Sequence, residues 1–395
     1  MPRLHLRAAR LLVDEAERLD ALPEATLVIE EGRILAVEPG RVPGPGLDLP
    51  AGAILAPGFV DLQVNGGGGL LYNDAPTAAA ALAIARAHRR LGTTTILPTL
   101  ITDVPARMRE AAATIADAVA RPRGGVGGLH LEGPFLSTLR PGVHDPALIR
   151  PIDAADHDLL AALAARVPVL LTLAPERASD ADLVRLAAAG VRLCAGHSAA
   201  PFERIVAALS LGVAGFTHWP NAMPPLAGRD PGIMGAALAS PGAWCGVIVD
   251  EVHVHPATLR LLLATRPAGQ VVLVSDAMPP AGTTLDRFVL GGRTILRRDG
   301  RLETADGVLA GADLDMAQAA RNAVALLRLD GAEALRMASA YPARAMGLSD
   351  RGRLAPGLRA DLVLLDAGLD PIGTWIAGHW PPCARPGSPE RSAPA

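Results

Sequence analysis

The chain has 395 residues, half of them hydrophobic, with a formal net charge of −3 and a pI near 6.4. That length accommodates one barrel of roughly 250–300 residues plus a smaller domain. The near-balanced charge, with no basic block and no arginine stretch interleaved with aromatics, speaks against nucleic acid as a partner.

Residues 1 to about 55 read as short strands punctuated by Gly and Pro, the start of a small β-domain. Asp14 and Glu15 interrupt the N-terminal stretch before an apolar signal-peptide core can form. From residue 56 the pattern changes. Eight apolar runs follow: FVDLQVN, TTTILPTL, GLHLEGP, VPVLLTLAPE, VRLCAGHS, GVAGFTHWPNAMP, CGVIVDEVHV and QVVLVSDAMPP. Most are separated by Ala/Leu-rich helical segments, among them 77–91, 105–120 and 155–165. Strands alternating with helices at this count predict a (β/α)8 barrel over 56–349, with functional groups on its C-terminal rim. A hairpin is expected at 284–310, then helices at 313–329 and 331–346. Residues 350–380 return to strands and complete a small β-sandwich with 1–55, and the Pro/Ser-rich 381–395 reads as a disordered tail.

Several barrel strands end in a polar residue that an ordinary core strand does not need. His197 and His218 close the fifth and sixth strands, and Glu132 the third. Neighbouring parallel strands end on one rim, so these side chains meet there. A Glu/His/His set provides three ligands for a divalent metal and leaves a fourth position open. Taken singly, each His is a satisfied core or surface residue and Glu132 an exposed loop acid; three on one rim reverse that. Asp276, at the eighth tip, is the candidate general base, with a turn or helix-capping aspartate as the alternative. Gln63 and Asn65 share one face of the first strand. As amides they suit cavity lining and hydrogen bonding better than zinc. His253 and His255 are two apart, but His255 precedes Pro256 and starts a helix. His130 and Cys194 read as core residues.

All 37 basic residues are arginine. This excludes a Walker-type phosphate loop, a Schiff-base lysine and a carboxylated-lysine metal bridge. Cys194, Cys245 and Cys383 lack paired spacing and fit a reducing compartment. No apolar run reaches membrane-spanning length. The expectation is a cytoplasmic protein without a membrane partner.

PGFVDLQVNGGGG, GLHLEGPFL, GVHDP, AGHS, THWPNAMPPLAGRDPG, VSDAMPPAG and LAPGLRADLVLLD, in this order, resemble the N-acetylglucosamine-6-phosphate deacetylases of the amidohydrolase superfamily. The likeness spans roughly residues 30 to 370. It implies a homodimer acting on a small sugar phosphate with one divalent ion per chain, Zn²⁺ above others. It implies Glu132, His197 and His218 as metal ligands, Asp276 as acid/base and His144 as the group polarising the acetyl carbonyl. It further implies that Asn221 and the backbone of Ala222 hold the substrate, with Arg229 and His253 at the phosphate. In such proteins the residue matching Arg229 can come from the neighbouring subunit. The alternatives within the chemistry are the galacto epimer of the substrate or another amide such as a cyclic ureide, the latter opposed by the absence of lysine; outside it, a non-catalytic barrel serving as a binding module.

Overall fold

The computed structural model describes residues 3–13 and 18–380. The segment expected to be a disordered tail lies outside these residues, as do Asp14 and Glu15.

The apolar runs form the eight parallel strands of a barrel: β1 (Phe59–Val64), β2 (Thr93–Ile101), β3 (Leu129–Glu132), β4 (Val169–Leu173), β5 (Arg192–Ala195), β6 (Val213–Phe216), β7 (Trp244–Val247) and β8 (Val271–Leu273). The hydrogen-bonded order runs β8-β7-β6-β5-β4-β3-β2-β1, so each strand pairs with its neighbour in sequence. Successive registers place Glu132 beside Thr172 and Ala195 beside Phe216, which aligns the C-terminal tips. The β8–β1 seam closes through other groups. Val64 and Ala277 make an isolated parallel bridge, and the N–H groups of Asn65 and Gly66 donate to the Ala277 carbonyl at 2.9 and 3.0 Å.

Helices α1 (Ala78–Arg89), α2 (Pro105–Val119), α3 (Ala154–Ala164), α4 (Asp180–Ala188), α5 (Phe202–Ser210), α6 (Gly232–Ala239), α7 (Pro256–Ala264) and α8 (Met316–Leu327) wrap the barrel. Their starts are written in the sequence. Thr77 caps α1, Asp153 with Asp156 and Ser179 with Asp182 form capping boxes for α3 and α4, and His255 caps α7 with Pro256 in its first turn. Small residues on the inner faces, such as Ala81 and Ala85 of α1 and Ala111, Ala112 and Ala118 of α2, are buried. They let the helices approach the strands closely. Each Leu, Val or Ile wholly removed from water contributes roughly 1.5–3 kcal/mol, and one continuous core runs through barrel and helices.

Two four-stranded sheets lie beside the barrel. One contains Leu4–Ala8, Ala25–Glu30, Arg33–Pro39 and Gly46–Asp48. The other joins Arg10–Leu11 and Ile54–Pro57 to Leu362–Leu365 and Pro371–Trp375. Leu6, Leu27, Leu55, Leu362 and Trp375 share their core, so segments from both sides of the barrel pack together.

Two local expectations change. The excursion at 284–310 is a three-stranded meander (Arg287–Leu290, Arg293–Arg298, Arg301–Thr304), because Gly291-Gly292 and Asp299-Gly300 both adopt positive φ and make two tight turns. The single helix expected at 331–346 is two, Gly331–Met337 and Ala340–Ala345, broken at Ser339. The break puts Pro342 in a first turn, where its missing N–H leaves no bond unmade. Among the described residues no helix is long and apolar enough to cross a membrane.

Candidate active site

Glu132 is the last residue of β3, while His197 and His218 follow two residues after β5 and β6. All three are almost completely buried. The Glu132 Oε1 lies 3.2 Å from His197 Nε2 and 2.9 Å from His218 Nε2, and the two Nε2 atoms are 3.1 Å apart. His197, His218, Ala222 and Asp276 all have positive φ, a conformation uncommon for non-glycine residues. That strain, concentrated where the chain leaves three strand tips, turns the side chains over the barrel mouth.

The hydrogen bonds fix which nitrogen faces the centre. His197 Nδ1 lies 3.0 Å from the Arg140 carbonyl, which only accepts, so Nδ1 carries the hydrogen and Nε2 presents a lone pair. Two acceptors, Glu132 Oε1 and His197 Nε2, therefore converge with His218 Nε2, and they call for a positive centre. Burial disfavours a charged His218, but the hydrogen bond and charge of Glu132 override it and raise its pKa. Burial likewise opposes ionisation of Glu132, yet the two histidines hold its carboxyl well below the usual range. A proton on His218 meets the need for charge, and a divalent ion meets it better, since carboxylate and imidazoles all point lone pairs at it. The donor set fits such an ion.

Glu132, His144 and His197 also offer ligand atoms within 4.8 Å of one another, making a possible metal site. His144 differs from the others in one respect. The Thr102 backbone N–H donates to its Nδ1 at 3.3 Å, and the Thr102 hydroxyl is 2.8 Å from the same atom. Burial pushes its pKa down to about 3, so the ring is neutral with its hydrogen on Nε2. A neutral imidazole held this way presents a donor where His197 presents a lone pair.

Asp276 stands across the cavity, its Oδ1 accepting from Asn65 Nδ2 at 2.6 Å. Burial and the Glu132 charge push its pKa up to about 6. The turn that carries it is tied to β1. The buried Asp61 carboxylate accepts from the Ser275 hydroxyl and, at 3.2 Å each, from the Ser275 and Gln63 backbone N–H groups. The Ser275 Oγ in turn accepts from Ala277 N–H at 3.1 Å.

Asn65, Glu132, His144, His197, His218, Asn221, Ala222, His253 and Asp276 line one cavity of about 540 Å³. Asn221 Nδ2 donates to the His218 carbonyl at 2.9 Å. His253 Nδ1 is 2.6 Å from Asp250 Oδ2, leaving Nε2 for a ligand, and His255 is the α7 cap. Gln63 lies behind the cavity, its Nε2 donating to both Glu132 oxygens at 3.2 Å. It orients the carboxylate. Arg229 is exposed in the loop after β6 and does not line the cavity of its own chain. Below the site His130 bonds Thr99 and Thr172, and Cys194 is buried, both core positions. The sequence reading passed over Asp61, Ser275 and Arg140. An acid in the middle of an apolar strand was a usable signal for Asp61; nothing in the sequence marked Arg140.

The description of the amidohydrolase family matches residues 54–382. The chain belongs to that family. It is a hydrolytic enzyme. The N-acetylgalactosamine-6-phosphate deacetylase of Shewanella sp. (strain ANA-3) is 39% identical over 85% of this chain and 84% of its own length. The N-acetylglucosamine-6-phosphate deacetylase of Haemophilus influenzae is 33% identical over 92% and 96%. Among solved structures, a mutant N-acetyl-D-glucosamine-6-phosphate deacetylase from Mycobacterium smegmatis in complex with N-acetyl-D-glucosamine-6-phosphate superposes with a TM-score of 0.88 at 34% identity, covering 96% of this chain and 99% of that one. Likeness across whole chains shows that this chain shares their fold.

Proposed function

We propose that this enzyme hydrolyses the acetamide of N-acetyl-D-glucosamine 6-phosphate, giving D-glucosamine 6-phosphate and acetate. The observation that carries the reading is one cavity holding a cation-seeking Glu132/His197/His218 set, a raised-pKa carboxylate at Asp276 and a neutral imidazole donor at His144. The names of its relatives support the same chemistry.

Glu132, His197 and His218 would hold one Zn²⁺ per chain. A bound divalent ion supplies Lewis acidity and acidifies water. Asp276, oriented by Asn65, takes the proton of the attacking water and later delivers it to the departing sugar nitrogen. His144 Nε2–H donates to the acetyl oxygen as negative charge develops there. Asn221 and Ala222 position the sugar, and His253 meets its 6-phosphate. Arg229, exposed on its own chain, reaches the phosphate of a neighbouring subunit in a homodimer. Gln63 and Asn65, bonded to Glu132 and Asp276, supply amides where a second ion would need imidazoles.

Acetate release from N-acetylglucosamine 6-phosphate, its galacto epimer and both unphosphorylated sugars, together with elemental analysis, tests this. Fastest release from the gluco phosphate at one zinc per chain is expected. Two ions per chain, both needed for turnover, would overturn the single-ion site, and preference for the galacto phosphate would reassign the epimer.

A further inference from the structure

Of the residues lining the active-site cavity, only Arg140 carries a permanent positive charge. Two acids, Glu132 and Asp276, line the same cavity. Yet among the described residues the Arg140 guanidinium has no ion pair and no hydrogen bond, and its Nε is buried without an acceptor. Arg150 also leaves its Nε unpaired, but its two outer nitrogens grip Asp156 at 2.6 Å, and Arg297 donates to Asp313 at 2.7 Å, whereas no nitrogen of the Arg140 guanidinium is bonded. A buried guanidinium N–H without an acceptor is costly. Arg140 is thus a planar fork of donors short of an anion, in a cavity open to ligands.

Its main chain is tied to the centre. The Arg140 carbonyl accepts His197 Nδ1–H at 3.0 Å. Pro141 follows, and Gly142 then turns at φ +57 so close to the His197 ring that a Cβ there would stand 3.3 Å from Cε1. The loop after β3 therefore cannot carry Arg140 away without disturbing His197. Arg229 does not line this cavity, so within the chain Arg140 alone offers a pH-independent charge to an anionic ligand.

We propose that Arg140 recognises the phosphate of the sugar-phosphate substrate from within the same chain as the reacting centre. The assignment rests on the sugar-phosphate reading of the site. It adds a specificity-determining residue to it, so discrimination for the phosphate persists when no neighbouring subunit reaches in. Guanidinium pairs bidentately with phosphate oxygens, which ammonium cannot do.

The test measures binding of glucosamine 6-phosphate and of glucosamine to the zinc-loaded full-length enzyme by calorimetry, for wild type, Arg140→Ala and Arg140→Lys. Acetate release from N-acetylglucosamine with and without its 6-phosphate is followed in parallel. Arg140→Ala should shrink the binding preference for the phosphorylated sugar by roughly ten- to a hundredfold, the size of a charge-assisted contact. Arg140→Lys, which keeps charge and volume and guards against a folding defect, should fall between. An unchanged preference in both variants overturns the proposal, as does an equal loss on both sugars. The turnover arm judges the underlying reading separately: wild type releasing acetate equally from both sugars sinks the substrate class, whatever Arg140 does in binding.

Discussion

Two carboxylates line this cavity, and the two sides of the barrel treat them oppositely. On the β3–β5–β6 side, burial should raise Glu132, but His197 and His218 converge on one of its oxygens and hold it ionised. At the β8–β1 seam the half-buried Asp276 is also partly withdrawn from water, yet its partner is the neutral Asn65 amide and the nearby Glu132 charge repels it, so its pKa climbs to about 6. Burial is common to both; the neighbours decide. An acid fixed as an anion suits a cation, and one poised near neutrality suits proton exchange. In the proposed reaction, the side that would bind the cation and the side that would move protons are thus separate pieces of the fold.

Breaking each side in turn should give different failures. Glu132→Ala should release the metal, read by elemental analysis, and take turnover to background with it. Asp276→Asn keeps the shape and the ligands, so it should retain its metal while kcat falls by roughly 10²–10⁴. Loss of metal in Asp276→Asn would merge the two sides into one. The contrast sharpens in a titration. As the proposed base Asp276 works only when deprotonated, so activity should be lost as pH falls through its pKa. A cation at Glu132 offsets the charge that helps raise Asp276, so loading the metal-free protein should move this titration below about 6. Nuclear magnetic resonance of the Asp276 carboxyl in both forms would read it, and an upward shift on loading would break the argument. The smallest effect belongs to the seam. Ser275→Ala removes a donor to Asp61 and an acceptor for Ala277 N–H, so unfolding free energy in denaturant should drop by about 1–3 kcal/mol. Its kcat should fall by about tenfold, a shift of 1.4 kcal/mol in the barrier, with KM nearly unchanged. Full activity would show that Asp276 needs no support from Ser275.

The barrel and most of the centre were legible because polar residues terminate apolar runs: the tips at Glu132, His197, His218 and Asp276 all announce themselves this way. Strand periodicity gives a side, not a depth. Gln63 shares a face with Asn65, yet it lies behind Glu132 while Asn65 enters the cavity. The seam bonds of Asp61 join residues more than two hundred positions apart, and no local pattern predicts such pairing. Arg140 was invisible for a related reason: its position follows from a backbone carbonyl meeting a histidine ring, and a carbonyl has no letter in the sequence.

Ile54–Pro57 pairs antiparallel with Leu362–Leu365 across more than three hundred intervening residues. This has a consequence for how the molecule assembles. During synthesis the first fifty-odd residues emerge long before the strand that completes their sheet. Closing so long a loop carries an entropic cost that the barrel must first shorten by folding in between. Until then Ile54, Leu55 and Ala56, all buried in the finished protein, lack the Leu362–Leu365 strand that covers one edge of theirs. The flanking sheets are therefore the last part to lock and the stretch a chaperone would need to shield longest.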